Sequence, residues 1–290
     1  MGDGACARSR AGCCGVLVVS VVLAVVLAGC SGRVERHAGG ASPTESRPAG
    51  DQVDVRFTSV IEFAAAMAAQ RLADVTQRFT LEGAITGEGV SRSEPAGLSA
   101  SISTTIGSYQ LQSIILPQTT YFTLPPLLIP AGKPWVRADR NAAPTNPSLA
   151  LLVQQVQLIQ DNVDPVKLLS ARAPASELID PQPVVLNGVA CVRYTVRTDR
   201  AKFAQFIADP NARRGFDDYT KIVGNTEEIQ FWVDGDNRVR RAELKLGVGG
   251  SAQPAIVTFG GWGQPVEITP PPPEQVMTLD ELARSVPGFR

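Results

Sequence analysis

Ile229-Gln230-Phe231-Trp232-Val233-Asp234-Gly235-Asp236-Asn237-Arg238-Val239-Arg240-Arg241-Ala242-Glu243-Leu244 reads as a β-hairpin. Ile229, Phe231 and Val233 alternate with polar or larger neighbours on one side of the turn, and Ala242, Leu244 and Leu246 do the same on the other. A period of two puts each set on one face of a strand. Asp234-Gly235-Asp236-Asn237 between them are residues that tolerate left-handed backbone and bond to their own main chain, as a tight connection requires. A calcium loop is the competing reading, and it fails on register. Counting from Asp234, the fifth residue is Arg238, the sixth Val239 and the twelfth Lys245, where an oxygen ligand, a glycine and a glutamate are needed.

Working outward, Ala255 to Phe259 adds a strand, and Val184 to Val196 forms a second hairpin turning at Asn187-Gly188. In it Val192, Tyr194 and Val196 share one face, and Arg193, Thr195 and Arg197 share a face expected to be wet. Further upstream, runs at Phe79–Ile85, Leu98–Ile106, Tyr109–Leu116, Thr119–Leu124 and Trp135–Ala138 alternate Thr, Ser, Ile and aromatic residues between turn signals. Helices are fewer. One spans about residues 58–76, with Ile61, Ala65, Ala68, Leu72 and Val75 as its buried stripe. Asn146-Pro147 and Asp164-Pro165 each open another, Asp199 caps a short one bearing Phe203, Phe206 and Ile207, and Thr278 with Glu281 forms a capping box flanked by the staple pair Met277 and Leu282. Roughly ten strands, with helices gathered in a few segments, predict an α+β domain built on an antiparallel sheet and not a βαβ series.

The N-terminus carries a different signal. Arg8 and Arg10 precede an apolar run, Gly15 to Ala28, which ends in Leu27-Ala28-Gly29-Cys30, the pattern of a bacterial lipobox. The run is shorter than the about 20 apolar residues that a spanning helix needs. Residues 1–29 are therefore predicted to be a lipoprotein signal peptide, and Cys30 the lipidated first residue of the mature chain. Two or three acyl chains on Cys30 give a stable anchor, since each buried methylene contributes about 0.8 kcal/mol. Residues 30–54, rich in Gly, Ser, Pro and charge, read as a flexible tether, and 55–290 as one domain with a proline-rich C-terminal extension at Pro270–Pro273. The expected location is the extracytoplasmic face of the cell membrane. With Cys6, Cys13 and Cys14 in the leader and Cys30 acylated, Cys191 alone remains as a thiol, read as a small packing residue.

Charge and chemistry narrow the function. The 290-residue chain has 27 Lys and Arg against 28 Asp and Glu, and loss of Asp3, Arg8 and Arg10 with the leader leaves 25 against 27. No basic excess points to nucleic acid. The only histidine, His37, lies in the tether, which argues against Ser/His/Asp, Cys/His and His-ligated zinc chemistry in the folded part. No phosphate-cradling loop, nucleophile elbow or paired CxxC occurs, and Asp217-Asp218 and Glu227-Glu228 are adjacent acids more apt to be solvated than to work as a dyad. The chain is expected to be no enzyme and to need no cofactor or metal.

A family resemblance rests on an ordered set of phrases. Gly132-Lys133-Pro134 precedes Trp135-Val136, Asp164-Pro165 precedes a leucine pair, Phe231 to Val239 forms the hairpin above, and Trp262-Gly263-Gln264-Pro265-Val266 is followed by prolines, all after the lipobox. In this order they resemble the LppX/LprAFG family of actinobacterial lipoproteins, over about residues 57–273. The resemblance implies a fold similar to LolA and LolB: a strongly curved antiparallel sheet, or half-barrel, with helices packed on its concave side over an apolar cavity. It also implies binding or carriage of acylated lipid or lipoglycan across the envelope, with an envelope transporter as partner. The chain departs from the family at Pro117–Pro130, at Asp209–Gly224 and in its tail after Pro273.

The apolar residues can be weighed beside that resemblance. Ile114, Leu116, Leu124, Leu127, Leu128 and Ile129 cluster where prolines prevent continuous strand or helix, which suits a cavity mouth. Trp135, the helical stripe Leu149, Leu152, Val153 and Val156, and the sheet positions Phe231, Val233 and Leu244 complete the candidate lining. Lys133, Arg137 and Arg140 are candidate headgroup contacts at the rim. The alternative is a non-enzymatic signalling or scaffolding lipoprotein whose sheet docks a protein and whose core is filled. The two differ in whether Leu149, Val153 and Val156 face an empty volume or pack on Phe231 and Leu244.

Overall fold

The computed structural model describes residues 45–46, 53–73, 76–83, 86–106, 108–124, 132–140, 149, 165–208, 210–245 and 254–285. In chain order they form β1 (Glu45–Ser46), α1 (Val60–Ala73), β2 (Thr76–Gly83), β3 (Thr86–Glu94), β4 (Gly97–Ile106), β5 (Tyr109–Ile115), β6 (Thr119–Thr123) and β7 (Trp135–Asp139). There follow α2 (Pro165–Arg172), β8 (Ser176–Leu186), β9 (Val189–Asp199), α3 (Arg200–Ala204), α4 (Pro210–Val223), β10 (Thr226–Asp234), β11 (Val239–Lys245), β12 (Ala255–Gly260), β13 (Val276–Thr278) and α5 (Leu279–Ser285).

All the strands join one open sheet in the order β1-β8-β9-β10-β11-β12-β2-β3-β4-β5-β6-β7-β13. Two meanders, β2 to β7 and β8 to β12, each pair successive strands antiparallel, with α3 and α4 inserted between β9 and β10 of the second, and meet at the β12–β2 pair. Among the described residues the one parallel pair is β13 on β7. The protein is thus α+β with a large, mostly antiparallel sheet and few helices. β8 carries Pro181 and Pro183, which cannot donate to a ladder, and its bulge falls beside them between Ile179 and Gln182. Prolines of this kind confine a strand to a sheet edge, and among the described residues only the two of β1 lie outside it.

Most predicted strands lie within a few residues of their expected bounds. The Asn187-Gly188 turn has φ of 49° and 80°, the paired left-handed residues of a two-residue hairpin. Within the β10–β11 hairpin, Asp234 is buried, and its Oδ1 accepts the N–H groups of Asp236 at 2.9 Å and Arg238 at 3.0 Å. Its Oδ2 accepts from Arg240 Nε at 2.7 Å, and the Arg240 and Arg238 guanidinium groups lie 4.5 and 5.7 Å from the Trp262 ring. Those bonds tie the Trp262-Gly263-Gln264 phrase to the hairpin.

Four expectations need correction. The α1 helix turns a different stripe inward: Val60, Phe63, Ala64 and Met67 are buried, whereas Ile61 is 67% exposed and Ala65 is exposed. Both stripes satisfy a 3.6-residue period, and the one with Phe63 and Met67 removes more apolar surface from water. β3 is an additional strand whose Gly87, Glu88 and Gly89 have poor strand propensity. The stretch after Asp209 holds a 14-residue helix, α4, with Pro210 at its first position. The face of β9 expected to be wet is only partly so: Arg197 is exposed, but Arg193 is half-buried and Thr195 is buried at 7% exposure.

Helix ends follow their caps. Glu62 accepts from the Thr58 N–H and hydroxyl while Ser59 Oγ accepts from the Glu62 N–H, fixing the start of α1. Asp199 accepts the Lys202 N–H at 2.9 Å before α3. Thr278 and Glu281 exchange bonds of 2.8 and 3.2 Å before α5, with Met277 and Leu282 buried together as the expected staple. Where α2, α3 and β10 converge, the buried Glu227 carboxylate accepts from Arg172 Nη1 and pairs with Arg200 Nη2 at 3.3 Å. Arg200, 1% exposed, also donates to the carbonyls of Gly224 and Thr226.

Candidate functional site

Cross-strand partners share a face, so the register defines two sides of the sheet. One bears the helices and carries three apolar clusters, with Ser91, Thr104, Ser113 and Thr120 interspersed among them on β3 to β6. At the β8–β11 end, Val192, Tyr194, Val196, Ile229, Phe231 and Val233 pack under α1 and Leu169 of α2. Phe57, Phe63, Tyr194 and Phe231 form a chain of aromatic contacts there, with centroids 5.2–5.5 Å apart. At the β6–β7 end, Phe122, Leu124, Val136 and Ala138 pack against Leu149, Met277 and the α5 residues Leu279 and Leu282.

Between these ends lies a third cluster on β12, β2, β4 and β5. Phe79, Ala100, Ile102 and Ile115 are buried, and Leu81, Val257 and Phe259 are half-buried beside them. Among the described residues no helix side chain belongs to this cluster. The Phe79 and Phe259 rings sit 6.3 Å apart, directly cross-strand. Phe79 lies over Gly89: a Cβ there would fall 2.3 Å from its Cζ and 2.8 Å from the Ser101 carbonyl oxygen. Gly87 is as close to β4, a Cβ falling 2.2 Å from the Ser103 carbonyl oxygen. Side-chain-free residues at such points let strands coil tightly.

The predicted lining is divided by this arrangement. Leu124 and Leu149 belong to one end cluster, and Phe231, Val233 and the half-buried Leu244 belong to the other. Phe231 is packed by Phe63 and Tyr194, so Leu149 and Phe231 do not meet. Ile114 and Trp135 sit on the reverse face, because their neighbours Ile115 and Val136 face the helices and adjacent residues in a strand alternate. Leu116 is half-buried just past β5. Cys30, Leu127, Leu128, Ile129, Leu152, Val153 and Val156 lie outside the described residues. The rim cations are engaged: Lys133 pairs with Glu281 at 3.0 Å, Arg137 with Asp139 at 2.9 Å, and the Arg140 Nη1 donates to the Pro117 carbonyl at 3.5 Å. The Thr278 N–H bond and the Lys133 bond hold the Glu281 carboxyl below its ordinary range, and Asp139 raises the Arg137 guanidinium.

The central residues Phe79, Leu81, Val257 and Phe259 were not among the expected lining. Their two strands were legible, but nothing local indicates that segments so far apart in sequence are partners. Cys191 is buried next to Val184, Leu186 and Trp232. Burial, reinforced by the charge of Asp234, pushes its thiol up to about 11, which suits a packing residue and not a nucleophile. Among the described residues no three metal-ligating side chains converge, and no helix is long and apolar enough to cross a membrane. No protein-family model matches the chain, and no curated protein matches it.

Proposed function

We propose that this chain is a membrane-anchored lipoprotein, held through Cys30, that binds acylated lipid between its sheet and helices and acts as a lipid carrier in the cell envelope. The observation that carries the reading is the central part of the apolar face. Leu81, Val257 and Phe259 are large side chains left half-buried on adjacent strands, flanked at both ends by helix-packed clusters. Apolar surface in that position is suited to acyl chains. A chain of about sixteen carbons leaving water releases on the order of ten kcal/mol gross, so no polar contact is needed for affinity. Gly87 and Gly89 support a strongly curved, half-barrel sheet of the LolA/LolB kind, since both let β3 approach β4 more closely than a Cβ permits.

The aromatic packing of Phe63, Tyr194 and Phe231 under α1 favours a second reading, a scaffolding lipoprotein with a filled core. Native mass spectrometry separates the two. The exported chain carrying Cys30→Ala, purified without detergent, should hold a mass that organic extraction releases as acylated lipid. Val257→Asp should empty it while leaving the circular dichroism unchanged. A wild-type chain that is ligand-free and takes up no fluorescent fatty acid would overturn the carrier reading.

A further inference from the structure

The reverse face of the sheet carries a polar feature that the lipid reading does not use. Arg193 on β9, Trp232 on β10 and Arg241 on β11 are successive cross-strand partners and form one row. Trp232 is 3% and Arg241 8% exposed. The Arg241 guanidinium lies 5.1 Å from the Trp232 ring centroid, and its Nη2 donates to Glu243 at 3.0 Å. The remaining donors have no acceptor: Arg241 Nε, Arg241 Nη1 and Trp232 Nε1 are all buried without a hydrogen bond. Nε and Nη1 carry three of the guanidinium's five N–H groups, and indole only donates. Buried donors gathered at one place, one group of them cationic, match an acceptor that bears negative charge.

The row continues along the same face. Thr258 is the cross-strand partner of Arg241, Thr80 of Thr258, Glu88 of Thr80 and Ser103 of Glu88. Those four line a groove of about 540 Å³ with Arg78 and Ser101, and its wall also includes Phe79, Val90 and Phe259. Hydroxyl groups beside a guanidinium with two unpartnered nitrogens give room for the polar body of a ligand whose anionic group sits at Arg241.

We propose that the Trp232–Arg241 pair is a binding site for an oxyanion, a phosphate or carboxylate group, borne by a polar molecule lying along the Thr258–Thr80 groove. The Trp232–Arg241 pair is on the opposite face from Leu81 and Val257 of the lipid floor, although the groove also reaches Phe79 and Phe259. Glu243 competes with the ligand for the guanidinium, which fixes the sign of a second variant.

The test uses the full chain with Trp135→Phe and Trp262→Phe, leaving Trp232 as the sole indole. Sodium phosphate added at constant ionic strength should give a saturable change in its fluorescence. Arg241→Met should weaken binding about tenfold or more, the loss of a charge-assisted hydrogen bond, and Glu243→Gln should tighten it. Vesicles containing phosphatidylglycerol reproduce the change if the oxyanion comes from a lipid headgroup, and only free phosphate does so if it is a soluble ligand; either supports the site. Val257→Asp should leave the response intact, so failure of the lipid reading would not be mistaken for failure of this one. A folded protein with no saturable response to either probe, or a Glu243→Gln chain that binds no more tightly than its parent, would mean that buried water or the chain itself satisfies these donors, and would overturn the proposal.

Discussion

Replacing Glu227 by glutamine tests the charged junction at which α2, α3 and β10 meet. The carboxylate is 8% exposed and is shared by Arg172, 14% exposed, and Arg200, 2% exposed. Glutamine keeps the shape and removes the negative charge, leaving two guanidinium groups side by side in a site that water barely reaches. Arg200 retains its bonds to the Gly224 and Thr226 carbonyls, so its geometry survives while its counter-charge does not. Breaking a buried pair in this way costs about 3–5 kcal/mol. For a domain of this size each kcal/mol moves the midpoint by about 2–4 °C, so the thermal midpoint should fall by about 6–20 °C. The adjacent Glu228 is an internal control. It points to the other face and pairs with Arg197 at 3.0 Å, both side chains at least one-third exposed, and such pairs contribute about 0–1 kcal/mol. Urea and thermal unfolding of Glu227→Gln and Glu228→Gln should therefore differ severalfold in their effect. Equal, small losses in both would refute the reasoning that burial makes Glu227 structural.

Three other outcomes follow from particular contacts. Because the Cys191 thiol is pushed up to about 11, the folded protein should resist alkylation at pH 8 and react once unfolded; its contribution to stability is complete below about pH 8.5, where the unfolded thiol is still protonated, and is lost as pH rises toward 11, which an alkaline urea series on wild type and Cys191→Ala would reveal. Gly89→Ala puts a methyl 2.3 Å from Phe79 Cζ and 2.8 Å from a backbone oxygen, so it should destabilise by about 1–3 kcal/mol in chemical denaturation and weaken any ligand held on Phe79. Glu281 is held below its ordinary range by its cap bonds and Lys133, so its support for α5 is present above about pH 4.5 and is lost as pH falls through the lowered folded value; Glu281→Gln should remove that acid-side component from the pH profile of unfolding.

The legible parts of the fold were those where local chemistry and pattern agree. Asn187-Gly188 and Asp234 to Asn237 are turn residues set between period-two runs, and both hairpins lie where these signals put them. Thr278 and Glu281 likewise fixed the start of α5. β3 was not legible because its glycines serve a close approach to β4 that exists only in the assembled sheet. The face of α1 was misjudged because small residues recur on both possible stripes, and tertiary burial of Phe63 decides between them. The candidate site shows the same division. Leu124, Leu149 and Phe231, expected together along one cavity, are buried in two separate packed clusters, a division that depends on strand order, which periodicity does not encode. Ile114 and Trp135 are apolar residues whose strand parity places them on the reverse face.

The β12–β2 ladder joins residues 172 to 182 positions apart, whereas the antiparallel pairs inside the two meanders link residues 43 positions apart or fewer. Each meander can zip from its own neighbouring strands, but the seam between them waits until the chain has been made through Phe259. Phe79 and Leu81 stand on one side of that seam and Val257 and Phe259 on the other. Cargo resting there would touch both halves at once. It would act as a rivet, and releasing it would loosen the molecule first along its longest-range joint.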